Sequence, residues 1–314
     1  MGFGSWGLGG DMWRGVDPSE ARRALVTALD SGISLVDTAL IYGHGQSERV
    51  VGEVIRDMRL RDECVVATKI PPLDGRWPPK PDAALDTVFP AGYVQRSVED
   101  SLRNLRAEVL GVEQLHVWLD DWLDSPYWPE LEGVMARMVR EGKVLHWGVS
   151  VNDHAPETAL RILAHDLIET VQVIYNIFDR SPEAELLPRA AKHNVGVMAR
   201  CPFDEGALVG AVTAESVFHP DDFRFGYFRG ERKAEAAERA ERLRAFVGDE
   251  ARSLAELALR FCLARSEVSA VIPGMRRPAH ARSNAQVGDA PPLGAELLDR
   301  LAEHAWDNNW YGWS

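Results

Sequence analysis

The sequence is short of cysteine, of positive charge and of long apolar runs. Its 314 residues hold three cysteines, Cys64, Cys201 and Cys262. They lie far apart, without the spacing of a metal site or a disulfide framework, which points to a reducing compartment. Lysine and arginine number 35 against 48 Asp and Glu, a formal net charge of -13. So acidic a chain argues against nucleic acid or an anionic membrane as partner, because both need basic surface. An anionic cofactor would have to be held by a local basic patch. No apolar run reaches the ~18 residues of a membrane span and nothing reads as a signal peptide, so a cytoplasmic location is expected. Charged and Gly/Ser-rich linkers are missing as well, and residues 1–314 are read as one domain.

What is present is alternation. Short apolar runs at Gly2–Trp6, Ile33–Asp37, Cys64–Lys69, Glu113–Trp118, Val144–Ser150, Thr170–Ile174, Gly196–Arg200 and Ser269–Pro273 read as strands. Helical stretches fill the gaps: from Pro18 to about Asp30, then Gln46–Arg59, Gly92–Arg106, Pro129–Glu141, Pro156–Ala164, Pro182–His193, Leu254–Ala264 and Pro278–Val287. Asp17-Pro18-Ser19-Glu20 is a strong helix start, with an Asp cap, proline at the first helical position and an acid two residues beyond it. Eight strands, each followed by a helix, fit an α/β fold of the closed (β/α)8 TIM-barrel type. Two extra helices, roughly Glu231–Phe246 and Ala295–His304, remain over. Long loops follow the third strand (Pro71 to Pro90) and the seventh (Cys201 to Gly230). In barrels the loops after the strands build the active site.

Four ionisable residues stand at or just past strand ends: Asp37, Tyr42, Lys69 and His116. Such groups in apolar runs are costly unless they meet partners. An acid, a phenol, an amine and an imidazole delivered to one end of one sheet can form a proton-transfer site. Taken singly, an Asp–Lys pair is more often structural and a loop tyrosine ordinary.

The chain resembles the aldo-keto reductases over nearly its whole length. The resemblance is carried by Gly4-Ser5-Trp6-Gly7, Asp37-Thr38-Ala39 with Tyr42-Gly43, Thr68-Lys69, Leu115-His116, Gly142-Lys143 with Gly148-Val149-Ser150, Val171-Gln172-Val173 with Tyr175-Asn176, Ala199-Arg200 with Pro202, and Ile272-Pro273-Gly274 followed by Asn284. Their shared order and spacing, rather than any one motif, make the match specific. It implies a (β/α)8 barrel that binds NADPH/NADP+ without a Rossmann domain and reduces a small-molecule aldehyde or ketone, with no metal. Gly2-Phe3-Gly4-Ser5-Trp6-Gly7 also spells a dinucleotide fingerprint, but no strand precedes it and no helix opens inside it. Relatives usually carry residues ahead of this strand that close the barrel floor, so a less well sealed floor is expected.

The four residues match the family's catalytic tetrad. Tyr42 is expected to be the general acid, Lys69 its tuner, Asp37 the partner of the lysine and His116 the orienter of the carbonyl. A phenol has an ordinary pKa of about 10. A cation about 4 Å away at effective dielectric near 20 interacts with the phenolate by about 4 kcal/mol, enough to lower that value by some three units at most. For the cofactor, the resemblance implies Gly4, Ser5 and Trp6 near the nicotinamide ribose, and Ser150 and Gln172 on the carboxamide. Arg200 would stack on the nicotinamide. Pro202, Phe203, Gly206 and Leu208 would cross the pyrophosphate. Gly274, Met275 and Arg276 would take the 2′-phosphate side, with His280 and Asn284 near the adenine. A helix start beside arginines suits a phosphate.

For the substrate, Trp6, Trp77, Trp118, Trp122 and the aromatic tail from Trp306 to Trp313 are expected at the pocket rim. With the acids Asp120 and Asp121 they would suit a sugar, a cyclitol or an amino-sugar. The alternative, that these tryptophans are packing anchors, carries equal weight. Two further functions stay open: an NADP-dependent alcohol or sugar dehydrogenase running in reverse, and a nucleotide-sensing β-subunit-like binding protein. Oligomeric state is not legible.

Overall fold

A computed structural model describes residues 1–76, 79–80, 82–248, 250–306 and 310. Eight parallel strands follow one another in sequence order: β1 Phe3–Gly4, β2 Leu35–Asp37, β3 Val65–Ile70, β4 Leu110–Trp118, β5 Val144–Val151, β6 Ile168–Ile174, β7 Gly196–Arg200 and β8 Val268–Val271. The sheet curls until its ends meet. Gly2 N–H donates to Val271 O at 2.8 Å and Gly4 N–H to Pro273 O at 2.9 Å, and Gly4 bridges Gly274 in parallel. Gly4 is required by this closure, since a Cβ there would lie 2.8 Å from Ile272 O.

The helices are α1 Pro18–Asp30, α2 Gln46–Met58, α3 Leu85–Val88, α4 Ala91–Leu105, α5 Trp128–Arg140, α6 Leu186–Lys192, α7 Phe223–Tyr227, α8 Arg232–Leu243, α9 Leu254–Leu263, α10 Pro278–Val287 and α11 Ala295–Ala302. Asp17 caps α1, its carboxylate accepting from Ser19 N and Glu20 N. The helix expected at Pro156–Ala164 does not form. Two 3-10 turns, Pro156–Ala159 and Ile162–Ala164, stand in its place. The reason is Asp120, which draws the backbone N–H groups of Arg161 (2.5 Å) and Ile162 (3.0 Å) out of any helical ladder. The long loops after β3 and β7 are partly helical, holding α3 and α7. None of the described helices is long and apolar enough to cross a membrane.

Most buried apolar side chains of the strands pack in one cluster with the helices, while Ala67, Val112, Met198 and Ile272 form a separate small apolar cluster that makes the barrel floor. Val65, Val109 and Leu145, at the strand starts, are 47%, 40% and 52% exposed. Above the floor the interior turns polar. Gln114 Nε2 donates to Thr170 Oγ1 (3.2 Å), and Gln172 Nε2 donates to Gln114 Oε1 (3.2 Å) and to Asp37 Oδ1 (2.7 Å). This column leads from the floor to the C-terminal mouth.

One buried acid has no such column. Glu113, in register with Thr68, is fully buried, and neither carboxyl oxygen has a hydrogen-bond partner among the described residues. Burial, helped by Glu48, pushes its carboxyl well above the usual range. An acid whose folded pKa is raised stabilises fully below its unfolded pKa and loses that contribution as pH rises toward the folded value. Above about pH 4.3 the folded state therefore holds a proton that the unfolded chain releases, at a cost near 1.4 kcal/mol per pH unit. Glu113→Gln removes the proton without changing the shape. Thermal unfolding should show the variant more stable than the parent, by several degrees at pH 8 and by little at pH 5. A variant equally destabilised at both pH values would contradict the assignment.

Candidate active site

The register of the strands decides which residues meet at the mouth. Asp37 ends β2, Lys69 pairs with Gln114, His116 with Ser150, and Ser150 with Gln172. Asp37, Tyr42, Lys69 and His116 converge there. Lys69, fully buried, donates to Asp37 Oδ2 at 2.8 Å and to Thr38 O at 2.6 Å. Its ammonium lies 5.3 Å from the centroid of the Tyr42 ring. The Tyr42 and His116 rings meet edge to face at 6.4 Å. Tyr42 reaches this position because the Tyr42-Gly43 turn packs directly on the Gly9-Gly10 turn. Gly43 has φ 60°, and a Cβ there would lie 2.1 Å from Gly9 O.

The electrostatics differ from the sequence expectation at one point. Lys69 does not leave the phenol acidic. Burial first, then Asp37, hold the Tyr42 phenol well above its ordinary value, and Arg200 is the cation that pulls it down. The physical cause is pairing: Lys69 is matched by Asp37, so the phenol meets an ion pair rather than a net positive charge. Burial also lowers Lys69 itself, while Asp37 opposes the loss of its proton. His116 is pushed well below the usual imidazole range by burial, Lys69 and Arg200, which leaves a neutral ring able to donate one hydrogen bond.

The other expected site residues fall into two groups. The first holds Ser150, Arg200, Gly206, Gly274 and Arg276, at or beyond the C-terminal ends of β5, β7 and β8. Ser150 is fully buried, and its Oγ has no hydrogen-bond partner among the described residues. Arg200 is anchored by Asp153 Oδ1 at 2.5 Å and by Val151 O at 3.3 Å. Gly206 sits at φ 103° in the turn that follows β7. Gly274 faces open space, and Arg276 is half-buried with no ion pair among the described residues. Trp6 stacks on Tyr42 at 6.0 Å, and its buried Nε1 also has no partner among the described residues.

The second group is engaged elsewhere. Ser5 Oγ is 2.7 Å from Ser47 Oγ. The nitrogen of Gln172 is taken by Asp37 and Gln114. Pro202 is buried, Phe203 is half-buried and packed on the core, and Leu208 and Met275 are core side chains. His280 and Asn284 lie one turn apart on α10, so they share a face.

The rim also differs. Trp118 and Trp122 are packing anchors, 0% and 4% exposed, edge to face with one another at 5.5 Å. Trp122 Nε1 donates to Ala83 O, and Trp118 Nε1 to Asp120, whose carboxylate is spent inside the protein. Trp306 and Trp310 join an aromatic cluster with Phe178, Tyr227 and Phe228. Trp77 and Trp313 lie outside the described residues. Sequence reasoning missed Asp153, Trp13 and Arg224. Asp153 had a signal, an acid just past a strand end beside the split Ser150-Val151-Asn152, whereas Trp13 lies in the loop after β1 and Arg224 in the five-residue α7, neither with a pattern.

The model of the Aldo/keto reductase family matches residues 1–305. The chain belongs to this family. Among its relatives, the aldo-keto reductase YhdN of Bacillus subtilis (strain 168) is 34% identical over 71% of this chain and 64% of its own length, so the chain spans a little under two thirds of that protein. The glycerol dehydrogenase of Gluconobacter oxydans is 28% identical, with a TM-score of 0.77 over 96% of this chain and 90% of that one. An aldo-keto reductase from Klebsiella pneumoniae, solved in complex with NADPH, is also 28% identical, with a TM-score of 0.68 over 96% and 89%.

Proposed function

We propose that the protein uses NADPH to reduce an aldehyde or ketone to the alcohol at the mouth of the barrel. The observation that carries the reading is the meeting of the Tyr42 phenol and the neutral His116 imidazole above the Lys69–Asp37 pair. The fit to a nicotinamide cofactor rests on Ser150 Oγ, a buried polar atom without a partner among the described residues and in register with His116 and Gln172, and on Arg276, which makes no ion pair among them, for a phosphate. The Klebsiella relative's complex with NADPH supports the same assignment.

Bound NADPH supplies the hydride to the carbonyl carbon. The residues of this chain handle the oxygen. His116 donates an N–H to the carbonyl oxygen and fixes its position. Tyr42 gives up its proton as that oxygen becomes an alkoxide. A phenol held well above its ordinary pKa still does this, because an alkoxide is a far stronger base than a phenolate. Lys69, kept charged by Asp37, stabilises the phenolate that remains. The stack of Trp6 on Tyr42 keeps water from one side of the phenol.

For the substrate we retain a polyhydroxy carbonyl, such as a sugar or cyclitol. Trp6 is the rim aromatic that remains for it, since Trp118 and Trp122 are packed away. The name of the Gluconobacter relative, a glycerol dehydrogenase, supports a small polyol carbonyl. Calorimetric titration with NADPH, followed by turnover of a carbonyl panel, tests the reading. Binding in the micromolar range and turnover of a hydroxylated aldehyde or ketone are expected. Binding without turnover of any carbonyl would favour a nucleotide sensor, and absence of binding would remove both readings.

A further inference from the structure

One aromatic ring joins the loops that follow β1, β7 and β8. Trp13, half-buried between β1 and α1, has two guanidiniums over its ring: Arg224 at 4.4 Å from the centroid and Arg276 at 4.9 Å. Arg224 lies in α7, and Arg276 leaves β8. The ring is itself held, meeting Trp6 edge to face at 5.5 Å.

Arg224 and Arg276 differ in their partners. Arg224 is clamped by Asp222, which accepts from its Nε at 2.8 Å and from its terminal nitrogen at 2.7 Å. Asp222 also accepts from Arg14 N at 2.9 Å, and Phe223 N–H donates to Met12 O at 2.9 Å. The loops after β1 and β7 are thus tied on either side of Trp13, by one backbone–backbone bond and by one backbone N–H to the Asp222 carboxylate. Arg276 makes no ion pair among the described residues, although burial and the charge of Arg224 both work against its own charge. Its side-chain stem runs beside Gly7, where a Cβ would lie 3.0 Å from Arg276 Cγ. A half-buried guanidinium with a second cation near it and no carboxylate of its own is arranged for an anion that arrives from outside. A guanidinium over an indole face is attracted by the negative charge of the ring face, most when water is excluded.

We infer that Trp13 is a positioning residue for Arg276: the indole, braced by Arg224 and Asp222, holds the guanidinium plane where it meets the adenosine 2′-phosphate, and so sets the preference for NADP(H) over NAD(H). This rests on the reading above that Arg276 binds that phosphate. The readout is the ratio of two dissociation constants, which a merely structural tryptophan would not move.

Isothermal titration calorimetry with NADPH and with NADH on the parent, Trp13→Ala, Trp13→Phe and Arg276→Gln tests the inference. The parent should prefer NADPH, and Arg276→Gln should abolish most of that preference. Trp13→Ala should weaken NADPH about tenfold, the equivalent of ~1.4 kcal/mol, with NADH binding unchanged within about twofold. Trp13→Phe keeps a flat ring and should recover most of the loss. If Trp13→Ala weakens both nucleotides equally, or neither, Trp13 holds the loop alone and the inference is overturned while the phosphate reading stands. If Arg276→Gln leaves the ratio unchanged, the phosphate reading fails first and the inference falls with it.

Discussion

Tyr42→Phe should slow reduction of a carbonyl by a factor of about 10² to 10⁴, the range for loss of a positioned general acid. The substitution removes one oxygen and keeps the ring, so the stack on Trp6 at 6.0 Å and the Lys69 ammonium over the ring remain. Nucleotide binding should therefore change by less than about twofold, which a calorimetric titration on the same preparation checks. The parent should also show a particular pH dependence. The Tyr42 phenol is held well above its ordinary value by burial and Asp37. An acid with a raised pKa keeps its proton to higher pH, so a fall in the single-turnover rate as pH approaches about 10 should follow loss of the Lys69 charge, which burial lowers, and not ionisation of the phenol. A Tyr42→Phe rate near that of the parent would remove Tyr42 from the chemistry.

Lys69→Met should destabilise the protein by about 3–5 kcal/mol. The lysine is fully buried, and its ammonium is the charged partner of Asp37, itself 4% exposed. Taking it away leaves a carboxylate in the barrel with Gln172 Nε2 as its remaining donor, and without its ion-pair partner, among the described residues. Breaking a buried pair on one side costs far more than replacing both sides. The double variant Asp37→Asn with Lys69→Met should accordingly be more stable than Lys69→Met alone, by 1 kcal/mol or more on the order of such couplings. Urea unfolding of the parent, Lys69→Met and the double variant measures this. If Lys69→Met unfolds at the parent's midpoint, the pair contributes nothing to the fold, and the explanation of why Lys69 fails to acidify the phenol loses its basis. Either outcome separates stability from catalysis, because Tyr42→Phe leaves the pair intact.

How far the sequence foretold this arrangement depends on what kind of signal each part carries. The strands were legible because buried parallel strands read as near-continuous apolar runs, as Val65-Val66-Ala67 and Val171-Gln172-Val173-Ile174 nearly do. Helix α1 was legible from its cap, since Asp17 accepts from the two N–H groups that its position predicts. The Pro156–Ala164 helix was misread because its competitor, the Asp120 carboxylate, comes from another strand end and leaves no trace in the local pattern. The tetrad was legible as four ionisable groups at strand ends. Its electrostatics were not, because the sign at Tyr42 depends on whether Lys69 meets Asp37 before it meets the phenol. The rim tryptophans show the same limit. Trp118 and Trp122 follow His116 in sequence, yet edge-to-face packing with Trp128 and Phe89 draws them away from the mouth. Trp13 and Arg224 stand far apart in the chain, and the contact between them is tertiary.

The most direct measurement of the central claim follows an isotope. The protein is mixed with NADPH deuterated at the transferable position of its nicotinamide and with a hydroxylated ketone, and the product alcohol is examined by mass spectrometry and NMR. The account predicts one deuterium on the carbinol carbon, a hydroxyl proton from solvent, and loss of the product in Tyr42→Phe. Tight NADPH binding with no deuterium in any alcohol across the carbonyl panel would contradict it.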